Sequence, residues 1–278
     1  MSRMTGYIPT LDQIDELHKK IAPSQAAYDL VHTHCVVVAT IARQLARHQN
    51  ALFTNKLGQG SGNALDDSAG AAEQADLPSD GITGGRVPKR LIDEHLVTIG
   101  GLLHDIGTYR VLKHDGSDGE PLQFDGKRYI LHGLLGYEYL LEQGVDESIA
   151  QFARNHTGVG LTQQMVIAQN LPLPPVDYMP VNLEQEIVMV ADKYNSKSIP
   201  PKFLTAQAYA KRAERYGAGE QAALAGSGRP VRRPRRAGPG REVPHAHDIG
   251  GINTPPAGWI VRWTAHPARA YQMRPFIA

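Results

Sequence analysis

The segment LLHDIG at 102–107 constrains this chain more than any other, because two adjacent ionisable residues, His104 and Asp105, close an apolar helical run there. Leu91, Leu96, Ile99, Leu102 and Leu103 recur at helical spacing ahead of the pair and form a face that a fold must bury. Gly107 then lets the backbone turn. Burying this face carries His104 and Asp105 inward, where an unpartnered polar group costs about 1–3 kcal/mol. Both side chains are metal-competent, yet neighbours on a helix point about 100° apart. They share one ion only if it sits over the helix end and Asp105 bends back, or if Asp105 bridges toward a second ion.

Four more candidates occupy comparable settings: His34 in VHTHCVVVA, His132 in ILHGLLG, His156 in ARNHTG and Asp192 in VMVADKYNS. Each lies within or beside an apolar helical segment, where coordination would remove the burial penalty. Asp192 is the sharpest case, since a carboxylate after Ile187, Val188, Met189, Val190 and Ala191 must be paired or ligated. Four imidazoles and two carboxylates exceed the needs of a tetrahedral structural zinc, and Cys35 is the only cysteine. Imidazole mixed with carboxylate suits Fe, Mn, Co, Ni or Zn, and the ligand number suggests two ions with open positions.

The pattern around these residues is helical. Thr10 and Gln13 have capping-box spacing ahead of Leu11, Ile14, Leu17 and Ile21. Ser24 caps a second helix expected to run to about Gln49, with Tyr28, Val31, Cys35, Val38, Ala42 and Leu45 on one face. Residues 55–88 lack apolar periodicity and read as a mobile insertion. A third helix is expected from Pro88 to about Ile106. The glycine-rich stretch 111–130 reads as a loop free to rim a substrate site. Further helices are expected at about 131–143, from an Asp146 cap to Asn155, at 162–170, at 183–196 and at 202–216, with no convincing strand. His18, His48, His95 and His114 read as surface or supporting residues, and the second HDIG, at 247–250, as coincidence because no apolar helix precedes it.

Charge divides the chain. From residue 216 onward there are nine Arg, no Lys and three acidic residues, leaving 20 basic against 25 acidic side chains in the body. The expected organisation is a domain over 1–216 and a Pro/Gly/Arg-rich, mostly disordered tail over 217–278, with an anchoring segment around Trp259 and Trp263. The arginines at 229–241 suit polyanions, although an incidental basic tail is the plainer reading of their nucleic-acid potential. A single cysteine, the absence of a signal-like apolar start and the absence of a membrane-length apolar run point to a cytoplasmic protein without membrane partners.

The motif set resembles the HD-domain metal-dependent phosphohydrolase superfamily, over roughly residues 20–200 with the 55–88 interruption. The stretches from HGLLGYEYLLEQGVDESIAQFARNHTGVGLT to LPLPPVDYMPVNLEQEIVMVADKYNS look most like small stand-alone archaeal and bacterial HD proteins. NHTG at 155–158 is also similar to the bacterial diadenosine tetraphosphatase branch. The resemblance implies an all-α helical bundle in which His34, His104, Asp105 and Asp192 hold one metal and His132 and His156 help hold a second. Of His32 and His34, the resemblance favours His34 through the Val37 and Ala39 that follow it. It further implies direct hydrolysis of a small phosphorylated or nucleotide-like phosphomonoester or phosphodiester by metal-activated water, with Asp105 bridging or orienting the nucleophile. Lys193 and Arg154 are candidates to neutralise substrate phosphate, and Lys113 and Arg128 to close over it. Two other readings stay open: a mixed-valence di-iron oxygenase on the same scaffold, and a noncatalytic nucleotide-binding regulator.

Overall fold

The computed structural model describes residues 6–60, 82–84, 87–198, 202–203, 259–263 and 271–275. The fold is all-α, with seven α-helices and only short strands among the described residues. Helix α1 (Leu11–Ile21) starts at the Thr10 capping box. Helix α2 (Gln25–Gly60) begins where Ser24 Oγ accepts the Ala27 N–H, and it forms the spine of the bundle. It continues well past Gln49, so its last turns lie within the segment expected to be an insertion; residues 61–81 and 85–86 of that segment are outside the described residues.

Helix α3 (Glu94–Leu103) is shorter than the sequence suggests. Asp93, whose carboxylate accepts the His95 and Leu96 N–H groups, caps it, so the helix starts at Glu94 rather than Pro88 and Leu91 is exposed rather than buried. The chain passes through a 3₁₀ helix (Ile106–Val111) and a second 3₁₀ turn (Tyr129–Leu131) into α4 (His132–Glu142). Helices α5 (Glu147–Arg154), α6 (Gln163–Ala168) and α7 (Leu183–Asp192) follow, capped by Asp146, Thr162 and Asn182.

Strands occur where none was expected. Between the two 3₁₀ segments, β2 (Leu112–His114) and β3 (Gln123–Phe124) form an antiparallel hairpin in place of the open loop. β4 (Asn195–Ser196) pairs with β5 (Lys202–Phe203), so the expected helix at 202–216 does not begin there; residues 204–216 are outside the described residues. β1 (Ile82–Gly84) pairs in parallel with β6 (Trp259–Trp263), which pairs antiparallel with β7 (Tyr271–Pro275). The tail segment around the two tryptophans is thus a strand paired with one from within the expected insertion. The arginines at 229–241 and the second HDIG are outside the described residues.

Two apolar clusters flank α3. One joins α2, α3 and α7 through Val38, Ile41, Leu45, Val97, Ile187 and Val188. The other joins α1 to α5 through Ile14, Val31, Ile99, Leu103, Leu140 and Ile149. Close approach is possible because Gly101 faces α2: a Cβ there would stand 2.6 Å from the Ala39 Cα. No described helix is long and apolar enough to cross a membrane.

Candidate metal centre

The six histidines and aspartates singled out from the sequence come together between the two apolar clusters. His34 sits on the α2 face that also carries Val31, Cys35 and Val38, all buried. His104 is the C-cap of α3, and Asp105 follows with φ −108° and ψ 11°, a sparsely populated conformation that turns its side chain off the helix track. His132 opens α4, His156 follows the C-terminus of α5, and Asp192 ends α7. The C-terminal ends of α3, α5 and α7 therefore meet here, and their partial negative charge favours cations.

Asp105 is the hub. Its Oδ2 faces His34 Nε2 at 3.0 Å and His104 Nε2 at 3.5 Å. Its Oδ1 faces His156 Nε2 at 3.3 Å and His132 Nε2 at 3.5 Å, and accepts the Thr108 hydroxyl at 3.1 Å. Asp192 Oδ1 lies 3.1 Å from His34 Nε2 and 3.5 Å from His104 Nε2. Two groups of ligand atoms result, one from His34, His104, Asp105 and Asp192 and one from Asp105, His132 and His156, each with its atoms within 4.8 Å of one another.

The imidazoles are held in one tautomer from behind. His104 Nδ1–H donates to the Gly101 carbonyl at 2.7 Å, His132 Nδ1–H to Tyr129 at 2.5 Å and His156 Nδ1–H to Ala153 at 2.8 Å. For His104 and His156 the acceptor is a carbonyl from the last turn of a helix, where no later N–H completes the ladder. His34 Nδ1–H donates to Asn195 Oδ1 at 2.8 Å. With the proton on Nδ1, each neutral ring turns an Nε2 lone pair inward.

This donor set fits a metal. His132 Nε2 and His156 Nε2 stand 3.0 Å apart, and burial lowers the His132 pKa to about 3, so two lone pairs face each other. His104 Nε2 is buried without a hydrogen-bond partner, and burial lowers the pKa of that ring too. Bare nitrogens confronting carboxylate oxygens at these distances repel unless a cation lies among them. At His34 burial and Lys197 push the pKa down, but the Asp105 and Asp192 carboxylates outweigh them and the net shift is upward. Burial alone would raise the two carboxyls. The Lys197 ammonium and the imidazoles hold Asp105 well below the usual range, and Lys193 does so first for Asp192.

The basic residues expected near substrate divide. Lys193 donates to Asp192 Oδ2 at 2.8 Å and to the His156 carbonyl at 3.2 Å, inside the centre. Arg154 is placed outside it: its guanidinium lies 4.9 Å from the Tyr178 ring centroid and 5.7 Å from that of Tyr137, and it donates to the Asp177 carbonyl. Lys113 and Arg128 are exposed on the hairpin region. His18 and His48, expected as surface or supporting residues, are fully buried; His18 bonds the Leu102 carbonyl at 2.8 Å and faces the Tyr109 hydroxyl at 3.0 Å, bracing the end of α3.

Sequence reasoning missed Lys197, whose ammonium pairs with Asp105 Oδ2 and lies 5.8 Å from the Tyr129 ring centroid. It also missed Asn195 and Thr108. None of the three belongs to an apolar periodic run, which is the signal that exposed the six candidate ligands.

Residues 31–196 match the protein family described as HD domain. The chain belongs to the HD-domain family. That family falls in the metal-dependent phosphohydrolase superfamily, whose members bind divalent ions, as this cluster of His and Asp is suited to do. An uncharacterized protein of Methanocaldococcus jannaschii is 42% identical over 101 residues, 36% of this chain and 49% of that protein. Proteins named tRNA (cytidine(56)-2'-O)-methyltransferase from Picrophilus torridus and Thermoplasma volcanium are 35% and 32% identical over 100 residues, 36% of this chain and 24% of each. The matched segments thus span half or less of those relatives. No solved structure matches the chain.

Proposed function

We propose that this HD protein is a two-metal phosphohydrolase that cleaves a phosphomonoester or phosphodiester of a small, nucleotide-like substrate. The observation that carries the reading is the division of Asp105: one oxygen serves His34 and His104, the other His132 and His156. A carboxylate shared between two sets of inward lone pairs is the donor arrangement of a bridged pair of ions. His34, His104, Asp105 and Asp192 would hold one, and Asp105, His132 and His156 the other. Bound there, divalent ions supply a water acidified toward neutral pH and Lewis-acid contacts to phosphate oxygens.

The protein's part is preorganisation. Backbone carbonyls and Asn195 fix the four rings, and Thr108 and Lys193 fix the carboxylates, so no ligand has to reorient when the site fills. Charge favours an anionic substrate. The two carboxylates are already matched by the ammonium groups of Lys193 and Lys197, so a divalent ion leaves the centre cationic.

Metal analysis of protein purified without added metal, joined to a phosphatase and phosphodiesterase panel under anaerobic conditions, tests this reading. Phosphate release without oxygen is expected, abolished in Asp105→Ala. His132→Ala is expected to lose one metal equivalent and keep the other. Turnover in Asp105→Ala equal to the parent, or turnover that needs oxygen, refutes it.

A further inference from the structure

Lys197 holds an atom that the metal also needs. Its ammonium lies on Asp105 Oδ2, the oxygen toward which the inward lone pairs of His34 and His104 converge. An ammonium and a divalent ion at the same carboxylate oxygen exclude each other by like charge. The other lysine of the centre is differently placed: Lys193 is at the end of α7 and holds Asp192 Oδ2, with the His156 carbonyl as a second acceptor. Lys197 lies four residues farther on, past β4, with a four-carbon stem and a side chain 11% exposed where Asp105 shows none. The Tyr129 ring lies beside its ammonium, and its exposure is close to the 10% of Lys193, so what separates the two lysines is the carboxylate each holds.

We propose that Lys197 is an exchangeable counter-ion of this centre, which yields Asp105 Oδ2 to the metal and then binds the substrate phosphate. The inference rests on the two-metal reading above. The consequence is coupling: with Lys197 displaced, a buried ammonium lacks its carboxylate, and a phosphate oxygen is the charged acceptor that replaces it. Metal and phosphate binding then reinforce each other, although Lys197 opposes the metal when phosphate is absent.

The test uses the full chain with Mn²⁺ alone and with inorganic phosphate as probe. The variants are Lys197→Met, which keeps the stem and removes the charge, and Lys197→Arg, which keeps the charge. Mn²⁺ affinity is measured by chelator competition without phosphate, and phosphate affinity by calorimetry on the Mn²⁺-loaded protein. Lys197→Met is expected to bind Mn²⁺ about tenfold more tightly and phosphate about tenfold more weakly, and Lys197→Arg to restore phosphate binding. Unchanged or weaker Mn²⁺ binding in the Met variant, or unchanged phosphate binding, overturns the proposal. Lys197→Gln replaces the Met variant if thermal unfolding shows that the latter does not fold. Parent protein that binds no Mn²⁺ refutes the two-metal reading itself, whereas parent and variants that bind Mn²⁺ and phosphate alike refute only the role of Lys197.

Discussion

Substituting Gly107 by alanine tests how the backbone holds the second group of ligands in place. A Cβ on Gly107 would stand 2.0 Å from the His132 carbonyl oxygen and 2.3 Å from the Gly136 nitrogen, where ordinary contact begins at 3.4 Å. Both neighbours are backbone atoms of α4, so no flexible side chain can swing aside. The helix must retreat by about 1.4 Å, the shortfall against the His132 oxygen. That shift carries His132 away from Asp105 Oδ1 and His156, now 3.5 Å and 3.0 Å from its Nε2. Overpacking of a tight core costs about 1–3 kcal/mol, and three backbone atoms closer than 3.0 Å place this case near 3. For a domain of this size that lowers Tm by about 6–12 °C. Gly126→Ala is the control, because a Cβ there meets nothing within 4 Å. Calorimetric unfolding and metal analysis should show Gly107→Ala folded, less stable and short of one metal equivalent, with Gly126→Ala matching the parent. A Gly107→Ala protein with parental Tm and full metal content would refute the claim that this close approach sets the second ligand group.

Other consequences follow from particular contacts. Burial lowers the His18 pKa from 6.5 to about 3, so the unfolded chain binds the extra proton first; its contribution is complete above pH 6.5 and is lost as pH falls toward 3. About 2 kcal/mol should disappear between pH 7.5 and pH 5, read as a steeper fall in urea stability for the parent than for His18→Gln. Arg90→Met should cost about 1–3 kcal/mol in chemical unfolding, since it strips the bidentate partner from the buried Glu184, at 2.6 and 2.7 Å, while half of the arginine is already solvated. A parental midpoint would show the Asp93 N–H to be sufficient for that carboxylate. Adding Mn²⁺ at about 100 times Kd to chelator-treated protein should raise stability by about 2.7 kcal/mol, and by less in His132→Ala; equal gains would speak against a second ion.

Apolar periodicity establishes that the chain is helical and which residues had to find partners. Apolar side chains at helical spacing around His34, His104 and Asp192 can be buried only together with those polar groups, and local sequence is enough to show it. Caps at Thr10, Ser24 and Asp146 were legible because capping joins residues close in the chain. What the chain alone could not give were the events that depend on distant segments. The Asp93 cap of α3 and the β2–β3 hairpin are local contacts that apolar periodicity does not signal, whereas the pairing of β1 with β6, Ile82 opposite Val261, depends on partners brought near only by folding. The same reason hid Lys197, an isolated lysine in sequence that becomes a ligand of Asp105 only when the end of α7 packs against the end of α3. It also explains the placement of Arg154, only two residues from His156 in the chain: in space, Tyr178 and Tyr137 draw its guanidinium away from the centre.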